Sequence, residues 1–145
     1  MTRILVVEAR YYAHVADELL GGATAELERA GAAFERVTVP GAFEIPAAIQ
    51  FAHLSRQGFD GYVALGCVIR GETSHYDLIC AECARGLQDL ALRERLAIGF
   101  GVLTVENEAQ ALERARVDKR NKGGEAARAC LAMIELKRGY AQGQP

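Results

Sequence analysis

Residues 66–79, GCVIRGETSHYDLI, bring Arg70, Glu72, Thr73, Ser74, His75 and Tyr76 together where an apolar run gives way to a segment of helical spacing. The chain has three histidines, and imidazole gives and takes protons near neutral pH. The cluster is therefore either a helix start that needs caps or a place where protons are moved. Other apolar runs end similarly: Tyr11 lies in EARYY (8–12), Phe43 in PGAFE (40–44), and TVEN (104–107) follows a run containing Phe100. NKGGE (121–125) places Lys122 beside the amides of Gly123 and Gly124, which would hold an anion if they opened a helix and would otherwise be only a turn. Each residue alone has a plain structural reading: Tyr11 a surface aromatic, Phe43 a core residue, His75 a surface histidine at a helix start, Arg70 and Arg114 solvated charges.

The elements that must position these residues alternate. RILVV (3–7), FERVTV (34–39), GYVALG (61–66) and LAIGFGVLT (96–104) read as strands, and three of the four are nearly continuous apolar runs, as in a parallel sheet covered on both faces. Between and after them lie helical segments. Val15, Leu19, Ala23, Leu27 and Ala30 recur at helical spacing, and Gly31 follows as a C-terminal cap. Further helices are expected over about 44–55, with Pro46 in the first turn, about 74–92, from Asn107 as N-cap, and about 123–138. The tail 139–145 reads as frayed. Repeated strand–helix alternation predicts a single α/β domain over 1–145 with a four-stranded parallel sheet and right-handed crossovers. In such a sheet ligands bind beyond the carboxyl ends of the strands, the rim where the residues above collect.

Composition narrows the class. Half of the 145 residues are hydrophobic and a quarter are charged, so a packed core is expected. A formal net charge of −2 gives no electrostatic reason for a nucleic-acid partner or an anionic membrane. No apolar run approaches the ~20 residues of a spanning helix, and the first residues read as a strand rather than a leader, so a cytoplasmic protein is expected. Cys67, Cys80, Cys83 and Cys130 are the cysteines. Cys80 and Cys83 fall more than a turn inside a predicted helix, away from the N-terminal dipole that activates a redox pair, and no second pair suggests zinc. They read as structural thiols.

Four stretches in order, VPGAFEIPAAIQ (39–50), ALGCVIRGETSHYDLI (64–79), FGVLTVENEAQALERA (100–115) and NKGGEAA (121–127), make the chain resemble the lumazine synthases from about residue 3 to 138. The resemblance implies a flavodoxin-like three-layer α/β/α sandwich. It implies condensation of 5-amino-6-(D-ribitylamino)uracil with 3,4-dihydroxy-2-butanone 4-phosphate to 6,7-dimethyl-8-ribityllumazine, the penultimate step of riboflavin biosynthesis, with no cofactor and no metal. It also implies homo-pentamers with sites between subunits. Pentamer, decamer and a shell of pentamers stay open, as does riboflavin synthase as an enclosed partner. Position by position, Tyr11 matches the aromatic that stacks on the pyrimidine. Ala42, Phe43 and Glu44 match the stretch holding uracil and ribityl chain, and Cys67, Val68 and Ile69 match a second pyrimidine-binding stretch. Glu72 and Thr73 match the phosphate-binding turn, where a carboxylate would repel the ligand, so the amides are expected to bind and the Glu72 side chain to turn away. His75 matches the proton donor. Phe100 and Arg114 match a substrate contact and a phosphate ligand from the neighbouring subunit, and Lys122 a further basic residue near ribityl or phosphate. Arg70 has no direct counterpart role and is expected to be structural.

Three other readings compete. A response-regulator receiver shares the fold but needs a phosphorylatable Asp at the end of the third strand, where this chain has Gly66 and Cys67. A Schiff-base aldolase acting through Lys122 is chemically possible. A non-catalytic flavin-binding or shell-forming paralogue is opposed by the intact set Tyr11, Phe43, His75 and Arg114.

Overall fold

A computed structural model describes residues 1–143. Four strands, β1 (Arg3–Ala9), β2 (Ala33–Val39), β3 (Gly61–Ile69) and β4 (Ile98–Val105), form one parallel sheet in the order β2-β1-β3-β4. Five helices flank it: α1 (Ala13–Arg29), α2 (Ile45–Leu54), α3 (His75–Arg93), α4 (Glu108–Ala115) and α5 (Lys122–Ala141). A 3₁₀ turn, Ala42–Glu44, leads into α2.

Side chains alternate between the two faces of a strand, and here both faces are buried. Ile4, Val6, Val63, Leu65, Leu103 and Val105 pack against α1, α4 and α5. Leu5, Val7, Ala9, Tyr62, Ala64 and Val102 pack against α2 and α3. This is the expected α/β/α sandwich with a flavodoxin-like strand order. Leu19, Leu27, Ile45 and Ile49 are fully buried, each contributing roughly 1.5–3 kcal/mol of burial. β2, the one run that is not continuously apolar, is not covered on both faces: Glu35, Arg36, Val37 and Thr38 are exposed on the sheet edge, where charges discourage pairing with another chain.

The predicted caps form. Gly31, at φ +72°, lets its N–H reach Glu28 O and the Ala32 N–H reach Leu27 O, the paired bonds of a Schellman ending. Asn107 accepts the Gln110 N–H at 2.9 Å and starts α4.

Three boundaries are corrected. β3 does not stop at Gly66 but continues to Ile69, because β4 continues beside it through Ile69↔Val105. β4 starts at Ile98 rather than 96. The tail is not frayed from 139: α5 runs through Gly139 and Tyr140 to Ala141, while 144–145 lie outside the described residues.

The β1–β3 ladder ends at Glu8↔Leu65 and β1 itself at Ala9, so residues 67–69 project beyond β1 with the edge that faces it unpaired. The Tyr62 and Arg70 N–H groups point to β4. Amide direction alternates along a strand, so the peptide groups of Cys67 and Ile69 face the open side. β1 feeds α1 on one face of the sheet and β3 feeds α3 on the other. The gap between their carboxyl ends is thus the topological switch point, where open α/β sheets bind ligands.

Candidate active site

A cleft of about 540 Å³ occupies that gap, lined by Tyr11, Tyr12, Gly41, Ala42, Phe43, Glu44, Cys67, Val68, Ile69, His75, Leu78 and Ile79. Its walls come from four places in the chain. The β1–α1 loop brings Tyr11, 78% exposed, with its ring edge-on to Tyr12 at 4.9 Å. The 3₁₀ turn after β2 brings Ala42, Phe43 and Glu44; Ala42 is buried and Phe43 is 52% exposed. The open end of β3 supplies Cys67, Val68 and Ile69. The first turn of α3 supplies His75.

His75 is the first residue of α3, after Ser74 as N-cap. Ser74 makes no side-chain cap bond; Thr73 takes that part, its Oγ1 accepting the His75 N–H at 3.3 Å. Glu72 and Thr73 lie in the exposed turn between β3 and α3. Burial pushes the Cys67 thiol up to about 11, with nearby Cys80 adding to the shift, which keeps it a neutral wall residue. Burial also raises the Cys80 thiol and raises Cys83 to about 11. Cys80 is half-buried and Cys83 buried, and both are free, as read from their place within the helix.

Tyr11, Ala42, Phe43, Glu44, Cys67, Val68, Ile69 and His75 are brought together. Phe100, Arg114 and Lys122 do not line the cleft. Phe100 is on β4, across β3 from the open edge and half-exposed, in a second depression of about 370 Å³ with Ala84, Leu87, Gln88, Ala91 and Ile98. Arg114 is on α4, where Nη1 donates to its own helix at Gln110 O, 3.1 Å. Lys122 pairs with Glu125 at 3.0 Å. The anion-site reading of NKGGE is overturned: the Asn121 side chain accepts the Gly124 N–H at 3.2 Å, both glycines are buried, and a Cβ at Gly123 would collide with the Leu19 carbonyl of α1. Gly123 lets α5 pack closely on α1, and Gly124 leaves room for the Asn121 cap.

Tyr12, Gly41, Leu78 and Ile79 were not singled out from the sequence. Leu78 and Ile79 stand three and four residues after His75, hence on its face of α3, and helical spacing alone could have found them. Tyr12 carried no signal beyond its neighbour Tyr11.

The cleft has aromatic and aliphatic walls, open peptide groups along β3, one imidazole and one carboxylate, and no Lys or Arg among its lining residues. That suits a flat heterocycle with an amide-like edge, beside a group that relays protons. Among the described residues, no group of three or more His, Cys, Asp or Glu is placed to hold a metal ion, and no helix is long and apolar enough to cross a membrane.

The sequence model of the 6,7-dimethyl-8-ribityllumazine synthases matches residues 1–138. Relatives bearing that name include a Bartonella tribocorum protein, 56% identical over 94% of this chain and 91% of its own length. A Methylobacterium radiotolerans protein is 60% identical over 94% of this chain and 82% of its own. A Paramagnetospirillum magneticum protein is 51% identical over 95% and 96%. With its cleft, its strand order and this likeness along nearly its full length, the chain belongs to the 6,7-dimethyl-8-ribityllumazine synthase family.

Proposed function

We propose that the protein condenses 5-amino-6-(D-ribitylamino)uracil with 3,4-dihydroxy-2-butanone 4-phosphate, giving 6,7-dimethyl-8-ribityllumazine, phosphate and two waters, as the penultimate step of riboflavin biosynthesis in the cytoplasm. The observation that carries this reading is the single cleft joining Tyr11, Phe43, the open edge 67–69 and His75.

The pyrimidine stacks on Tyr11, whose π-face is free, and its amide edge pairs with the peptide groups of Cys67 and Ile69. Phe43 and Glu44 flank the ring and the ribityl chain. The amine attacks the ketone, water leaves to give an imine, phosphate leaves to give an enol, and ring closure expels a second water. His75 stands at the head of α3 to give and take the protons of these steps, help worth about 10²–10⁴-fold. Fixing two small substrates together can supply roughly 7–11 kcal/mol more, so orientation is the larger part.

A phosphate needs positive charge, which the lining residues of one subunit lack. The amides of Glu72 and Thr73 supply hydrogen bonds. Arg114 of an adjacent subunit supplies the planar guanidinium fork that suits phosphate, and Phe100 of that subunit closes the aromatic wall. Lys122, paired with Glu125, supports the ribityl and phosphate region less directly. The exposure of Tyr11, Phe43 and Phe100 in a lone chain supports a head-to-tail ring, read as a pentamer, with a larger assembly of pentamers and riboflavin synthase as its guest forming the wider reading.

The test is direct. Purified protein with both substrates should form lumazine, followed by its absorbance, and release one phosphate per lumazine. Lumazine formation no faster than the uncatalysed mixture would end the proposal.

A further inference from the structure

Arg70 is left without a role by the reaction above, yet it is the residue where three elements meet. Its N–H completes the sheet to Val105 O at 2.9 Å. Its Nε donates to both carboxylate oxygens of Glu106, at 2.9 and 3.0 Å. Its guanidinium carbon lies 4.3 Å from the centre of the Tyr76 ring, and Nη1 is 3.5 Å from Asp77 Oδ1. The Glu106 backbone is held by its own N–H, which donates to Gln110 Oε1 at 2.7 Å beside the Asn107 cap. Arg70 therefore grips the end of β4 and the first turn of α3 at once. The loop between those grips, 71–74, carries Glu72 and Thr73 and delivers His75.

We propose that Arg70 is a positioning residue for the condensation: it sets the 71–74 turn and the His75 ring through Glu106 and Tyr76, without touching substrate. This rests on the function proposed above for that turn and that histidine. Only Arg fits the place. Its Nε holds the Glu106 carboxylate, Nη1 faces Asp77 and the guanidinium carbon stays over the Tyr76 ring, a spread of contacts that the compact lysine ammonium does not reproduce. Exposed ion pairs add little to stability, and Arg70, Glu106 and Asp77 are all substantially exposed, so the effect belongs in geometry rather than in Tm. Displacement of a reacting group by about 1 Å can cost on the order of a hundredfold in rate.

The test compares Arg70→Met, Arg70→Lys and Glu106→Gln with wild type in the assembled enzyme. Arg70→Met should lose roughly ten- to a hundredfold in kcat and raise KM for the butanone phosphate, with KM for the uracil and Tm nearly unchanged. Arg70→Lys should recover only part, and Glu106→Gln should move the same quantities the same way although Glu106 is outside the cleft. The His75 imidazole resonances, read by NMR without turnover, should shift in Arg70→Met. Unmoved His75 resonances overturn the proposal, whatever the activity. So does a Glu106→Gln enzyme indistinguishable from wild type beside a crippled Arg70→Met, which would make Arg70 a direct ligand. Equal rises in both KM values with a fall in Tm would mean a general structural role and also overturn it. A wild-type enzyme without lumazine synthesis would fail the functional reading separately, while the His75 resonances still decide the positioning role.

Discussion

The Glu8 carboxylate, 1% exposed at the end of β1, accepts a hydrogen bond from Arg10 at 2.7 Å, and Arg10 in turn reaches Asp17 in α1. Arg36 of β2 donates to the other Glu8 oxygen at 2.9 Å. A buried carboxylate is thus held by two guanidinium groups directly before the loop that presents Tyr11. Glu8→Ala should cost about 1.5–3 kcal/mol of stability, the usual contribution of hydrogen bonds to a charged group; Arg36, 48% exposed, can re-solvate, and Arg10 keeps Asp17 as a partner. Urea unfolding checks it; an unchanged midpoint would mean that the pairs contribute nothing.

His75 heads α3 inside the cleft. His75→Ala should lower kcat by about 10²-fold and leave measurable turnover, since the stacking and anchoring groups remain. Steady-state rates with both substrates saturating decide this. A kcat equal to wild type would remove His75 from proton transfer.

Arg114 lies outside the cleft of its own chain, which makes a sharing test possible. Arg114→Ala alone should raise KM for the butanone phosphate far more than for the uracil. If the His75→Ala and Arg114→Ala chains are unfolded together and reassembled at equal ratio, a head-to-tail ring pairs one good His75 edge with one good Arg114 edge in roughly a quarter of its interfaces. About that fraction of wild-type activity should return, and none should return on mixing folded variants without exchange. Hybrids of verified mass that stay inactive would place the whole site in one subunit.

Cys83 and Cys130 are buried, and burial pushes their thiols up to about 11 and about 12. An unfolded thiol ionises near 8.5. The native state therefore holds its protons where the unfolded chain releases them, and stability is present in full below about pH 8.5 and lost as pH rises toward the folded values. Each thiol contributes a fall of about 1.4 kcal/mol per pH unit within that interval. Cys130→Ala should flatten the decline in denaturation midpoint between pH 8 and 10; an identical decline would assign it to other groups. At pH 7 both thiols should react slowly with alkylating reagents in the native protein.

The sequence by itself determined what depends on neighbours in the chain. The spacing of Val15, Leu19, Ala23 and Leu27, the Gly31 ending and the Asn107 cap act within a turn or two, so the α/β alternation was legible, as was the rim where His75 and Phe43 lie. What the tertiary structure decided depends on distant partners. Glu8 reads as a strand end, yet it is buried because Arg36, 28 positions away, joins the nearby Arg10 in neutralising it. Gly66 reads as the end of its run, yet Cys67, Val68 and Ile69 extend β3 because β4 continues pairing beside them while β1 does not. The same unequal pairing opens the cleft. Gly123 and Gly124 read equally as an anion cradle or a turn until α1 is seen packed against them. Arg70 reads as a solvated charge until β3, α3 and β4 bring Tyr76, Asp77 and Glu106 around it. Spacing and capping are written locally, whereas the length of a strand and the fate of a charge are set by whatever the fold brings beside them.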